Sequence, residues 1–166
     1  MTHGRKPRKP RMIKANAFNT ALYRASCLTE AEIRDTIAPA RQCLDRLREG
    51  VATEDQHIVL STCMQIAMGI ERSGIVRGLE GHIKAAQQAL GTIRSRALAT
   101  GAWSPTALYF YELDALREAV DFYEFQLRAL SAGELHSITQ RLIARTLSSG
   151  GVMVHTNAAG VGLQAA

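Results

Sequence analysis

The chain has 166 residues, 46% of them apolar, with 20 Lys and Arg against 15 Asp and Glu and a formal net charge of +5. That length suits one domain, and no apolar run approaches the roughly 18 residues a membrane span requires. Six cations, Arg5, Lys6, Arg8, Lys9, Arg11 and Lys14, lie in the first 14 residues and leave 14 cations against 15 acids for the rest, so this is a near-neutral body carrying a basic arm.

Residues 1–14 form that arm. Pro7 and Pro10 fix their own φ and push Lys6 and Lys9 toward extended backbone. Like charges repel, and no apolar side chain but the first methionine precedes Met12, so the arm is expected to be disordered or loosely polyproline-like. No apolar block of roughly 7–15 residues with a small-residue cleavage site follows it, and the reading is a cytoplasmic protein.

Over 12–28, Ala15, Phe18, Leu22 and Ala25 recur at helical spacing, while Asn16 and Asn19 weaken the pattern. Thr29 followed by Glu32 is a capping box, and Ile33, Ile37, Leu44 and Leu47 continue one face to Gly50. Pro39 falls inside this stretch and predicts a kink or break near Ala38. Thr53 with Gln56 is a second box, opening a segment, 58–70, that is apolar on nearly all sides. Such a helix is central or shared with a second copy, and it makes a homo-oligomer, a homodimer in the simplest case, the expectation.

Leu79, Ile83, Ala86, Leu90, Ile93 and Ala97 mark a further helix, in which Gly81 and Gly91 each cost about 1 kcal/mol against Ala. The two glycines fit either close helix–helix approach or simple tolerance. Ser104 and Pro105 have the order of a cap and a first helical residue. The helix they open carries most of the aromatics, in two stripes that imply two neighbours. Ser131 with Glu134 is a third capping box, and Gly150 and Gly151 end its helix. No alternating strand pattern occurs. The expected fold is all-α: a bundle of four to five helices over 15–150, with a frayed, flexible tail over 151–166.

The residues of catalysis are not arranged for it. His3, His57, His82, His136 and His155 are isolated, and the line S-G-I-V-R-G-L-E-G lacks the lysine and hydroxyl of a phosphate loop. Glu112, Asp114, Glu118, Asp121 and Glu124 crowd one helix without a Glu-x-x-His pair, which reads as a solvated face and not a metal site. Cys27, Cys43 and Cys63 form no C-x-x-C pair and read as reduced, mostly buried thiols. The expectation is no enzyme, no cofactor and no metal.

The arm therefore carries the functional reading. Each Lys or Arg that neutralises a phosphate releases counterions. Six such contacts on a duplex would give log K against log salt a slope of about −5. The partner is nucleic acid, DNA before RNA, or an acidic protein surface. No aromatic lies between the cations, which argues against a single-strand stacking platform. Arg72, Arg77, Lys84, Arg94 and Arg96 flank the helix around 79–98 and are candidates for an extended basic face. Over 127–142, Ala129, Gly133 and Leu142 match a helix-turn-helix, whereas Glu134 and Thr139 stand where apolar residues belong.

R-K-P-R-K near the start, G-V-A-T-E-D, A-T-G-A-W-S and E-L-D-A-L-R-E-A-V-D-F-Y-E-F-Q together resemble a group of small basic helical proteins from bacteriophages and prophages of proteobacteria. The resemblance runs over about 5–148. Some members are labelled Fis family transcriptional regulators. It implies a phage accessory protein and brings no catalytic residues. It raises two classes: a DNA-binding regulatory factor, or an adaptor or inhibitor of a host protein, such as an anti-defence factor. The second would use exposed aromatics, Trp103 or Tyr109.

Overall fold

Three of the helix starts are set by reciprocal caps that the sequence announces. In the computed structural model, which describes residues 17–150 together with 156–157 and 160–161, Thr29, Thr53 and Ser131 each accept from the backbone N–H three residues on. Glu32, Gln56 and Glu134 reach back to the N–H of the cap residue at 2.8, 3.0 and 2.8 Å. Each cap contributes on the order of 1 kcal/mol and fixes where the chain turns inward. The expected arm, 1–14, lies outside the described residues.

Among the described residues six helices result: α1 Ala17–Ala25, α2 Glu30–Arg48, α3 Glu54–Ser73, α4 Glu80–Ala97, α5 Phe110–Arg128 and α6 Ala132–Ser148. In the tail, most of which lies outside the described residues, β1 Thr156–Asn157 pairs antiparallel with β2 Gly160–Val161. The all-α class holds, but the four to five helices become six because the weak pattern before Leu28 does form α1. No helix of the described residues is long and apolar enough to cross a membrane.

α3 is the hub and packs against α2, α4, α5 and α6. Its all-round apolar surface, including Leu60, Met64, Ala67 and Ile70, is thereby covered within one chain. Ala67, Ala86 and Ala119 are fully buried and let the helices approach closely around Tyr123, Leu116 and Leu127. Gln126, also fully buried, donates its amide N–H to the Ala67 carbonyl at 3.2 Å. α5 packs against α2, α3 and α4, so the two expected neighbours are three.

Two boundaries differ from expectation. α2 runs unbroken through Pro39. Ile33 and Ile37 are buried before the proline, and Ala40, Cys43, Leu44 and Leu47 after it, so core packing holds both halves on one axis. The carbonyl that Pro39 cannot satisfy belongs to Asp35, an exposed residue that water can serve. α5 begins at Phe110, not Pro105. Gly101 at φ 83° turns the chain out of α4, and the Trp103 indole N–H donates to the Ala52 carbonyl at 2.8 Å. The following segment stays non-helical to seat Leu108 against the core. Gly81 and Gly91 are tolerated rather than required, since an added Cβ at either meets nothing within 4 Å.

Candidate nucleic-acid interface

The cations of the body divide by what surrounds them. Across α2 and α5 several are neutralised: Arg41 pairs with Glu124, and Arg128 with Glu30 and Glu124. Arg128 lowers the Glu124 carboxyl below the ordinary carboxylate range, chiefly through its hydrogen bond. Among the described residues, Arg24, Arg34, Arg72, Arg77, Arg117, Arg141 and Arg145 have no carboxylate within 4.0 Å. Four of these border α6. Arg24 and Arg141 line a cavity of about 380 Å³ beside its first half. Arg72 and Arg145, with Arg94, line a cleft of about 760 Å³ beside its second half, and no Asp or Glu lines that cleft.

α1 connects this surface to the arm. The helix packs on α6, and the chain after it is stitched to the α5–α6 turn. Leu28 N–H donates to the Leu130 carbonyl at 3.2 Å, Ala132 N–H to the Ser26 carbonyl at 3.1 Å, and Cys27 and Ser131 form an antiparallel bridge. Gly133 permits this contact, because a Cβ there would stand 2.7 Å from the Arg24 carbonyl oxygen. The sequence position that ends at Lys14 thus leads into a helix held against the one that carries Arg141 and Arg145.

The candidates for an extended basic face fare unequally. Arg72 and Arg94 line the same cleft, although Arg94 lies 3.9 Å from Glu54. Arg77, in the α3–α4 turn, lays its guanidinium against Gly74. Lys84 pairs with Glu80 at 2.7 Å. Arg96 is held by Glu112, Nη1 to Oε1 at 2.6 Å and Nη2 to Oε2 at 2.7 Å, and its guanidinium carbon is 4.5 Å from the centre of the Tyr109 ring. The reading of 112–124 as a solvated acidic face is therefore corrected at Glu112, which is fully buried and also accepts from Thr92 and from Tyr109 N–H. The Arg96 guanidinium, first among these partners, holds the Glu112 carboxyl below its usual range despite burial.

Sequence spacing missed Arg24, Arg141 and Arg145. The last two were open to discovery, being four apart on a helix whose only fully buried residue is Ile138. Arg24 joins them only through the α1–α6 contact, which no local pattern announces. The helix-turn-helix reading loses its turn: Gly133 lies inside the first turn of α6 and has no positive φ, and its small size serves α1 packing instead. Trp103 is partly buried and hydrogen-bonded, so it is an anchor and not an exposed docking ring. Tyr109 is exposed and stacks on Tyr111 at 5.7 Å and 9°, beside Phe110 at 80% exposure.

The histidines and thiols take structural places. His57 is buried, with Nε2 2.9 Å from the Leu90 carbonyl, and burial lowers its pKa. Cys43 and Cys63 are buried and pushed up by desolvation to about 11 and about 12, whereas Cys27 is exposed. Among the described residues no three His, Cys, Asp or Glu side chains come together as a metal site. No family model, no curated protein and no solved structure matches this chain.

Proposed function

We propose that the protein is a non-enzymatic accessory factor, of phage or prophage type, that binds nucleic acid, duplex DNA first, through the arm and the α6 side of the body together. The observation that carries this reading is the α1–α6 junction. Lys14 is followed three residues on by α1, which packs on α6, and beside α6 Arg24, Arg72, Arg141 and Arg145 have no carboxylate partner among the described residues. Guanidinium groups suit phosphate through their planar, bidentate fork. An arm beside a helical body adds grip along a groove without reading sequence.

The test is fluorescence anisotropy on random-sequence duplex DNA, with the full chain and with residues 1–14 removed. The full chain is expected to bind with a steep salt dependence, and the truncation to lose most of its affinity. Equal binding by both, or by neither, contradicts the reading.

A second reading, an adaptor or inhibitor acting on a host protein, is favoured by Tyr109, Phe110 and Tyr111, which together expose a large aromatic surface at the start of α5. Phe110→Ser should abolish a host-protein interaction of this kind and leave DNA binding intact.

A further inference from the structure

We infer that the outer face of α5 is a docking site for the chain's own basic arm, residues 5–14, whose cations lie among Tyr111, Asp114, Glu118, Asp121 and Phe125. The docking does not depend on the nucleic-acid reading. Only its consequence rests on that reading: a duplex has to draw the arm off α5 before the arm can grip it.

The face is the far side of a helix whose near side is core. Leu116, Ala119, Val120, Tyr123 and Leu127 are buried, and α5 packs against α2, α3 and α4. Tyr111, Asp114, Glu118, Asp121 and Phe125 follow one another at spacings of three and four residues, so they form one stripe along α5. All five are exposed. Tyr111 and Phe125, at its two ends, stand 65% and 57% exposed, and Phe110 beside the first stands 80% exposed. Among the described residues nothing covers these rings, and exposed aromatic surface of this kind marks a place of contact.

The chemistry of the stripe suits a cationic segment. Among the described residues Asp114 has no cation within 4.0 Å, Glu118 has His82 Nδ1 at 3.0 Å, and Asp121 has Arg41 at 4.0 Å, which pairs more closely with Glu124. Arg117 is the cation of α5 that stands among them. Carboxylates alone would make a solvated face. Rings on the same stripe add a preference for guanidinium, which stacks on an aromatic face while its N–H groups reach a carboxylate. The cluster already takes one cation in this way. The Arg96 guanidinium carbon lies 4.5 Å from the centre of the Tyr109 ring while Nη1 donates to Glu112, and Tyr109 stacks on Tyr111 at 5.7 Å. The complement stands on the chain itself, since 5–14 holds six cations and no acid. Its reach is sufficient. The far end of α1 is stitched to the α5–α6 turn, so the arm leaves the body about 13 Å, the length of nine helical residues, from that turn. From Phe125 to Tyr111 the stripe runs about 21 Å. Residues 5–16, fully extended, would span about 37 Å, enough for both. Pairs this exposed are weak and salt-sensitive, so a duplex, with one charge per about 1.7 Å of its axis, competes for the arm effectively.

The experiment is zero-length carbodiimide coupling of the full chain, which joins a lysine to a carboxylate in contact with it, followed by peptide mapping. The chain suits it, because its lysines are Lys6, Lys9 and Lys14 in the arm and Lys84 on α4. Arm lysines are expected to link to Asp114, Glu118 or Asp121 within one chain, in a yield that does not rise with protein concentration. The links should be lost in about 1 M salt, where the screening length falls to roughly 3 Å. The double variant Tyr111→Ser, Phe125→Ser keeps every carboxylate and changes only exposed rings. It should lower the yield by about threefold or more, with Tm unchanged. Added duplex DNA should lower the yield as well. The inference is overturned if no arm link forms, if the links fall on exposed carboxylates throughout the body, if they join different chains, or if the double variant links as well as the parent. Links to α5 in a chain that binds no duplex DNA would uphold the docking and contradict the nucleic-acid reading alone.

Discussion

At the scale of single residues, the ion pair between half-buried Arg96 and fully buried Glu112 is the strongest constraint on the body's chemistry. Removing Arg96 leaves the buried Glu112 carboxylate with only Thr92 and the Tyr109 N–H as donors, and Arg96→Met is expected to destabilise the fold by about 2–3 kcal/mol in urea titration, below the roughly 3–5 of a fully buried pair. The double variant Arg96→Met, Glu112→Leu should recover much of that loss, because both charges are gone. The pair also shapes the pH dependence. Glu112 and His57 both have folded-state pKa values below their ordinary values of 4.5 and 6.5. The unfolded chain therefore takes up more protons as pH falls, and their contribution is present above those ordinary values and lost below them. Tm should decline first below about pH 6.5, and His57→Gln should flatten that first decline. Only Cys27 should react with a thiol reagent in the native protein, and all three cysteines after unfolding, since Cys43 and Cys63 are buried and held as thiols. Glu112 could not be separated from its solvated neighbours by sequence. Its environment is made by Arg96 and Thr92 on another helix.

At the scale of elements, what was legible was local, and what was not depended on packing. The three capping boxes are complete within four residues, and each stands where the sequence placed it. Pro39 misled because propensity costs about 3 kcal/mol, while six buried residues of one helix outweigh it. Ser104 and Pro105 misled because a favourable cap is only an option, and the Trp103 and Leu108 anchors impose another path. The glycines divide on the same ground. Gly91→Ala should raise stability by about 0.5–1 kcal/mol, since the helix gains propensity and the new methyl meets nothing. Gly133→Ala should lower it, because its methyl would press on the Arg24 carbonyl, a backbone atom that cannot swing away. Hydrogen exchange would then show α1 losing protection ahead of the rest of the bundle.

For the whole molecule, among the described residues four of the seven arginines without an ion pair, Arg24, Arg72, Arg141 and Arg145, border α6, the helix on which α1 packs. Part of that face was legible, through Arg72 and Arg94, and part came from the long-range contact that brings Arg24 to α6. The all-round apolar α3 takes the central one of the two places its pattern allowed, among α2, α4, α5 and α6. On the proposed function, arm and α6 face bind one polyanion as a single surface. The most direct measurement is the salt slope of duplex DNA affinity for the full chain, the truncation lacking 1–14, and the variant Arg24→Gln, Arg141→Gln. The slope should become shallower by about 5 without the arm and by about 2 in the double variant, at about 0.9 per phosphate contact. A slope that falls with the arm but ignores Arg24 and Arg141 would contradict the shared surface, and a slope that ignores both would contradict the account altogether.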